Sequence, residues 1–261
     1  DDLPHIGAGG GEALTSFALL LLTLAAMHWS AQALARQSSR LFGRRVQLWL
    51  FGLPGTVVHE GSHVLACLLF GHRVDRVRWF DPRATDGALG SVEHSYDPSS
   101  AYQRVGTIAI GLSPLLVGAG VILLAARWLL DVPLVALADL ALADLAPVEP
   151  WRWVVFAYVG LSVGGSMHLS ASDLRGTRRG VITLSLWLAI ATLLAMSLWW
   201  VLSQTAPDVW PQQVMPVLRQ AAAALERASD AAAGALQLAV VVNVVAAAVL
   251  FTVRRLLGVV W

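Results

Sequence analysis

The chain is 261 residues long, 57% hydrophobic and only 13% charged, with a formal net charge of +1, whereas an ordinary globular domain is about 25% charged. So apolar a composition excludes a disordered chain, and a single cysteine, Cys67, excludes a disulfide scaffold. All 18 basic residues are arginines scattered in short groups, which argues against nucleic acid as a partner and leaves a polytopic membrane protein as the expected class.

The chain begins at Asp1 and not at a methionine, as expected where N-terminal sequence is missing or has been processed away. A helix that crosses a bilayer needs about 20 mostly apolar residues, and the first such stretch is 13–34. The second, 46–70, leads into a polar stretch, 72–103. There Arg73–Phe80 and Ala88–Tyr96 read as short strands around turn signals at Asp81-Pro82 and Asp86-Gly87, a small membrane-associated β-hairpin. The third span covers 105–130. Residues 131–150 are apolar but carry Asp131, Asp139, Asp144 and Glu149, and are expected at a membrane surface. A shorter fourth span, 153–169, contains Gly160, Gly164 and Gly165, small residues that let helices approach closely in lipid. The fifth span is 181–202, Gln212–Ala233 reads as an amphipathic surface helix, and 236–253 is the last span. Trp49, Trp128, Trp151, Trp153, Trp199, Trp200 and Trp210 fall near the ends of these segments, as an interfacial aromatic belt requires.

The expectation is therefore one transmembrane domain over 1–261, all-α and polytopic, with about six transmembrane helices and the hairpin. Its core is about 46–180, flanked by spans 13–34, 181–202 and 236–253. Arginine excess marks the cytoplasmic face. With six spans, the 72–103 loop and both termini share the arginine-richer side, against a cluster at Arg36, Arg40, Arg44 and Arg45 on the other.

Chemistry concentrates in the second span, at His59-Glu60-Gly61-Ser62-His63. Ionisable groups at that depth are costly and mark a functional site. Residues four apart stack on one helix face, so His59 and His63 offer two imidazoles to one metal, with Glu60 placed as general base on a metal-bound water. Shuffling this composition gives H-E-x-x-H about 0.004 times per chain, which sets the pattern apart from a polar packing cluster. Hydrolytic zinc usually takes three protein ligands and keeps an open position, so a third ligand has to come from elsewhere. Asp173, at the end of the fourth span, is one candidate and the only carboxylate between Glu149 and Asp208. Its bland alternative is pairing with Arg175, Arg178 or Arg179. His168 is the rival, as an alternative ligand or as a stabiliser of the oxyanion. Gly61 and Ser62 leave room for substrate or serve helix packing. His28 and His94 belong to no motif, and Cys67 reads as a small buried hydrophobe.

These features together resemble the site-2 protease family of intramembrane zinc metalloproteases. H-E-G-S-H at 59–63 lies in a transmembrane helix and runs through Val64–Phe70 into Gly71 and a strand. Gly111-Leu-Ser-Pro114-Leu-Leu-Val-Gly118 resembles the family's glycine–proline signature, and Asp173-Leu-Arg-Gly176 stands where the family supplies its aspartate ligand. The resemblance covers about 46–180. It implies zinc held by His59, His63 and Asp173, and hydrolysis by zinc-activated water with Glu60 as general base. The bond cut lies in or near a transmembrane segment of a membrane-protein substrate. It also implies a multi-pass protein of the cell (inner) membrane, in contact with the lipid bilayer and open to a regulatory membrane partner. The family's asparagine–proline pattern before the aspartate is absent, and the chain's one asparagine is Asn243. Two other readings stay open: a catalytically silent membrane scaffold or subunit, and a metal or proton transporter. Glu60→Gln separates the first from a protease, and the lack of further midplane carboxylates argues against the second.

Overall fold

Long apolar stretches satisfy their backbone groups in lipid by becoming helices, and helices make up most of the chain. The structure is a computed structural model that describes residues 6–84, 88–131, 148–205 and 215–258. Helix α1 is Ile6–Phe42; a short α2, Arg44–Val46, continues through a π-helical stretch, Gln47–Gly52, into α3, Leu53–Leu69. Strands β1, Arg73–Arg78, and β2, Ser91–Ser95, precede α4, Ala101–Leu129. Helix α5, Pro150–Val159, runs into a second π-helical stretch, Gly160–Gly164, before α6, Ala171–Thr205, and α7, Met215–Leu256. Among the described residues, three segments are long and apolar enough to cross a membrane: Ala101–Leu129, Ala171–Val201 and Ala233–Leu256. Only 6% of the most apolar window of α6 is buried within the protein. Its Leu186, Trp187, Leu193 and Trp199 form an apolar surface of the extent that lipid covers.

The main core joins Met27 and Ala31 of α1 to Leu115, Ala119 and Ile122 of α4, and to Leu236 and Ala239 of α7. Helix α4 also packs along α3 and α6, which places it at the centre. The hairpin is present as an antiparallel pair, Arg73 opposite Ser95 and Arg78 opposite Ser91, with a bulge between Val74 and Arg76. It is launched by Gly71, whose φ of 69° suits a residue without a Cβ. The Gly71 N–H donates to the Leu68 carbonyl at 3.2 Å and the His72 N–H to the Cys67 carbonyl at 2.8 Å, the paired bonds of a Schellman stop. Val74 and Val92 then pack on Ala66, Cys67 and Ile110, seating the sheet on α3 and α4.

Two expectations change. The stretch 153–169 is not one helix: residues 165–170 are non-helical and α6 starts at Ala171, so Asp173 opens α6 and does not close the fourth span. At the break, the Asn243 amide donates to the Gly164 carbonyl at 3.2 Å, and a Cβ on Gly164 would fall on Asn243 Oδ1. The amphipathic segment 212–233 is not a separate surface helix either, because from Met215 it is continuous with the last span in α7. Its alanine-rich sequence favours unbroken helix. The acidic stretch at 132–147, the Asp86-Gly87 turn and Trp210 lie outside the described residues. The other belt tryptophans are exposed.

Candidate metal centre

Helix α3 carries His59, Glu60 and His63, and the first turn of α6 carries Asp173. One ligand atom each of His59, His63 and Asp173 lies within 4.8 Å of the others. The approach of α6 depends on Gly111 of α4. A Cβ there would fall on Thr177 Oγ1 and lie 2.7 Å from the Asp173 carbonyl oxygen.

Each imidazole is aimed by a backbone carbonyl that no helical N–H claims, although the Ile110 carbonyl also accepts the Ser113 hydroxyl at 2.8 Å. His63 Nδ1–H donates to the Ile110 carbonyl at 2.8 Å. Ile110 stands four residues before Pro114, which is inside α4 and has no N–H to claim that carbonyl. His59 Nδ1–H donates to the Ser166 carbonyl at 2.8 Å, in the non-helical segment before α6. With Nδ1 occupied in this way, Nε2 is the nitrogen each ring has left to offer, the arrangement usual for metal-binding histidines. His63 Nε2 lies 3.5 Å from Asp173 Oδ1. Two ligands at tetrahedral angles on bonds of about 2.0–2.1 Å sit roughly 3.3 Å apart.

Asp173 is divided in the same way. Its Oδ2 accepts the Ser170 N–H at 2.7 Å and the Ser170 hydroxyl at 2.6 Å, while Asp173 N–H donates to Ser170 Oγ at 3.2 Å. This reciprocal cap starts α6 and leaves Oδ1 for the metal. Two nitrogens and one carboxylate oxygen, each with its other polar atom already bonded, fit a divalent zinc ion.

Glu60 is buried at 5% exposure yet lines, with His59, His63, Asp173, His168 and Arg78, a cavity of about 720 Å³. Gly90, one residue before β2, presses on it: a Cβ there would lie 2.6 Å from both Cγ and Oε1 of Glu60. Residues 88–92, His94 and Tyr96 border the same cavity. Burial, then the imidazoles of His72 and His63, push the His94 imidazole below its ordinary value. His168 also reaches the cavity, its ring centroid 6.1 Å from that of His59, but it is not among the ligand atoms that cluster there. Ser62 is buried, donates to the His59 carbonyl at 2.6 Å and meets Ser113 Oγ at 3.2 Å; it serves packing against α4. The nearest neighbour of a Cβ on Gly61 would be Trp79. His28 pairs with Gln32 on α1, at 2.9 Å.

Sequence reasoning missed Ile110, Ser166, Ser170 and Gly90. Two of these had signals: a proline four residues after Ile110, and the Ser170-x-x-Asp173 spacing of a helix cap. The arrangement can hold a divalent cation with an open side toward the cavity and a carboxylate beside it. No family model, no curated protein and no solved structure matches the chain.

Proposed function

We propose that the chain is an intramembrane zinc metalloprotease of the kind its resemblance to the site-2 proteases implies. It would hydrolyse a peptide bond in or near a transmembrane segment of a membrane-protein substrate. One observation carries this reading: Asp173 stands within ligand distance of His59 and His63 while each of the three side chains has its other polar atom bonded elsewhere. Zinc at that place supplies a Lewis acid that brings the pKa of water down to about 7. Glu60 accepts the proton and returns it to the leaving amine. His168, on the cavity wall, offers a ring N–H to the oxyanion, a task for which the absent asparagine–proline pattern supplies no side-chain amide here. A substrate segment unwound from its helix pairs along the cavity side of β2 by strand addition, which carries its backbone past Gly90 to Glu60. The three apolar helices support a membrane protein; on this reading it is a multi-pass protein of the cell (inner) membrane, with α1, the α2–α3 run, α4, the α5 run, α6 and α7 as its six spans.

The test uses the purified chain in lipid vesicles holding a library of transmembrane peptides, with products read by mass spectrometry and zinc by elemental analysis. Glu60→Gln should keep its zinc and cut about 10²–10⁴-fold more slowly. His59→Ala should lose both the zinc bound there and cleavage. A wild-type chain that takes no zinc at this site, or a Glu60→Gln chain that cleaves at the wild-type rate, rejects the reading. The silent scaffold is favoured by one observation: Asn243 is fully buried against Gly164 and not on the cavity wall. Cleavage absent from the wild type as well, with zinc in place, selects it.

A further inference from the structure

One turn beyond His63, α3 ends beside a second group of metal-binding atoms. Cys67 Sγ and one ring nitrogen each of His72 and His94 all lie within 4.8 Å of one another. Cys67 is fully buried, His72 is 4% exposed and His94 is partly buried. Three separate structural events bring them together. The Schellman stop at Gly71 folds His72 back over Cys67, its N–H on the Cys67 carbonyl at 2.8 Å. The register of the hairpin sets His94 opposite Val74. The N-terminus of α4 supplies the Gln103 carbonyl, which accepts His72 Nε2–H at 2.8 Å. That bond fixes the tautomer, leaving His72 Nδ1 with a bare lone pair. The lone pair meets His94 Nδ1 at 3.0 Å, close to the roughly 3.3 Å expected of two nitrogens on one tetrahedral zinc. Tyr96 stacks on the His72 ring, centroids 4.8 Å apart at 22°, and holds its plane.

We propose that Cys67, His72 and His94 form a second transition-metal site, of the thiolate–imidazole kind that takes zinc, and that it pins the β-hairpin to the ends of α3 and α4. Thiolate and imidazole are soft to borderline donors suited to zinc and unsuited to magnesium or calcium. Three ligands leave a fourth position, and His94 also lines the large cavity, so water can fill it from there. A proton shared between the two imidazoles explains their contact but leaves the thiol unused; a metal uses all three. The ligands come from the end of α3, the link to β1, and β2, so the ion adds a cross-link to elements that also meet through the apolar patch at Val74 and Val92 and through the hydrogen bonds of Tyr102 and Gln103 to the Leu69 and Gly71 carbonyls. This site does not rest on the protease reading.

Cobalt(II) is the probe, loaded into the purified full-length chain in detergent. Cys67 is the one cysteine among the 261 residues, so a thiolate-to-cobalt charge-transfer absorption has a single source. The wild type should show it; His59→Ala should keep it while losing about one cobalt per chain, and His94→Ala should lose it. A cobalt-loaded wild type without the absorption overturns the proposal. So does a band lost in His59→Ala and kept in His94→Ala, which would assign the thiolate to the other site. Zinc-edge X-ray absorption on the unmutated protein guards against a misfolded variant. A sulfur neighbour at about 2.3 Å supports the site, and a shell of nitrogen and oxygen alone rejects it.

Discussion

The two ligand groups on α3 are built by opposite means. At His59 and His63 the rings are held through Nδ1 and offer Nε2; at His72 the ring is held through Nε2 and offers Nδ1. At His59 and His63 the holding carbonyl stands at an irregularity, before Pro114 or in the segment that interrupts the helices at 165–170, whereas at His72 it is the Gln103 carbonyl in the first turn of α4. A carbonyl in regular helix already bonds the N–H four residues on, so Gln103 serves His72 with its second lone pair. The comparison teaches that breaks in the helices orient the first group and a helix start orients the second. The motif residues alone do not explain which nitrogen faces inward.

Pro114→Ala tests this most severely. The new N–H competes for the Ile110 carbonyl, and zinc affinity at His59, His63 and Asp173 should fall about 10–100-fold. Thermal stability should not fall, because a helix-interior proline has been removed. Chelator competition measures the first and a melting curve the second, while the cobalt–thiolate band at Cys67 should not move. Unchanged affinity would mean that Ile110 does not aim His63. Gly71→Ala is the mirror experiment. At a φ of 69° a side chain costs about 1–2 kcal/mol, so the thiolate band should weaken and the melting point drop while the first group keeps its affinity. Ser170→Ala is the smallest change. It removes the hydroxyl from the cap of α6, at a cost of about 1 kcal/mol, and leaves Asp173 Oδ2 held by the residue-170 N–H alone. Zinc affinity should then fall roughly fivefold, the same energy read as binding. An affinity equal to the wild type would show that Asp173 needs no such anchor.

Much of the first group was legible from the sequence. The four-residue spacing of His59 and His63 is a helical repeat, and Asp173 stood out because carboxylates are scarce after Glu149. The hairpin was legible from Asp81-Pro82 between two runs with strand residues. The break after Gly164 was not, since 153–169 contains no proline and Gly160, Gly164 and Gly165 read equally well as close-packing residues of a span. What holds it is Asn243, 79 positions further along, a partner that no local pattern names. The continuity of α7 was hidden for a different reason: an amphipathic alanine-rich stretch looks the same whether it lies on a surface or extends a span. Cys67, His72 and His94 share no period, and His94 is 22 residues from His72. Their meeting depends on one glycine turn and on a strand register.

The double duty of Asp173 links two things that are usually separate. One of its carboxylate oxygens starts α6 and the other points at the metal position. Ion loading and the integrity of that first turn therefore rise and fall as a thermodynamic pair. Stripping the ion should quicken amide hydrogen exchange at the opening of α6, and anything that frays this turn, such as local bilayer thinning, would loosen the grip on the ion.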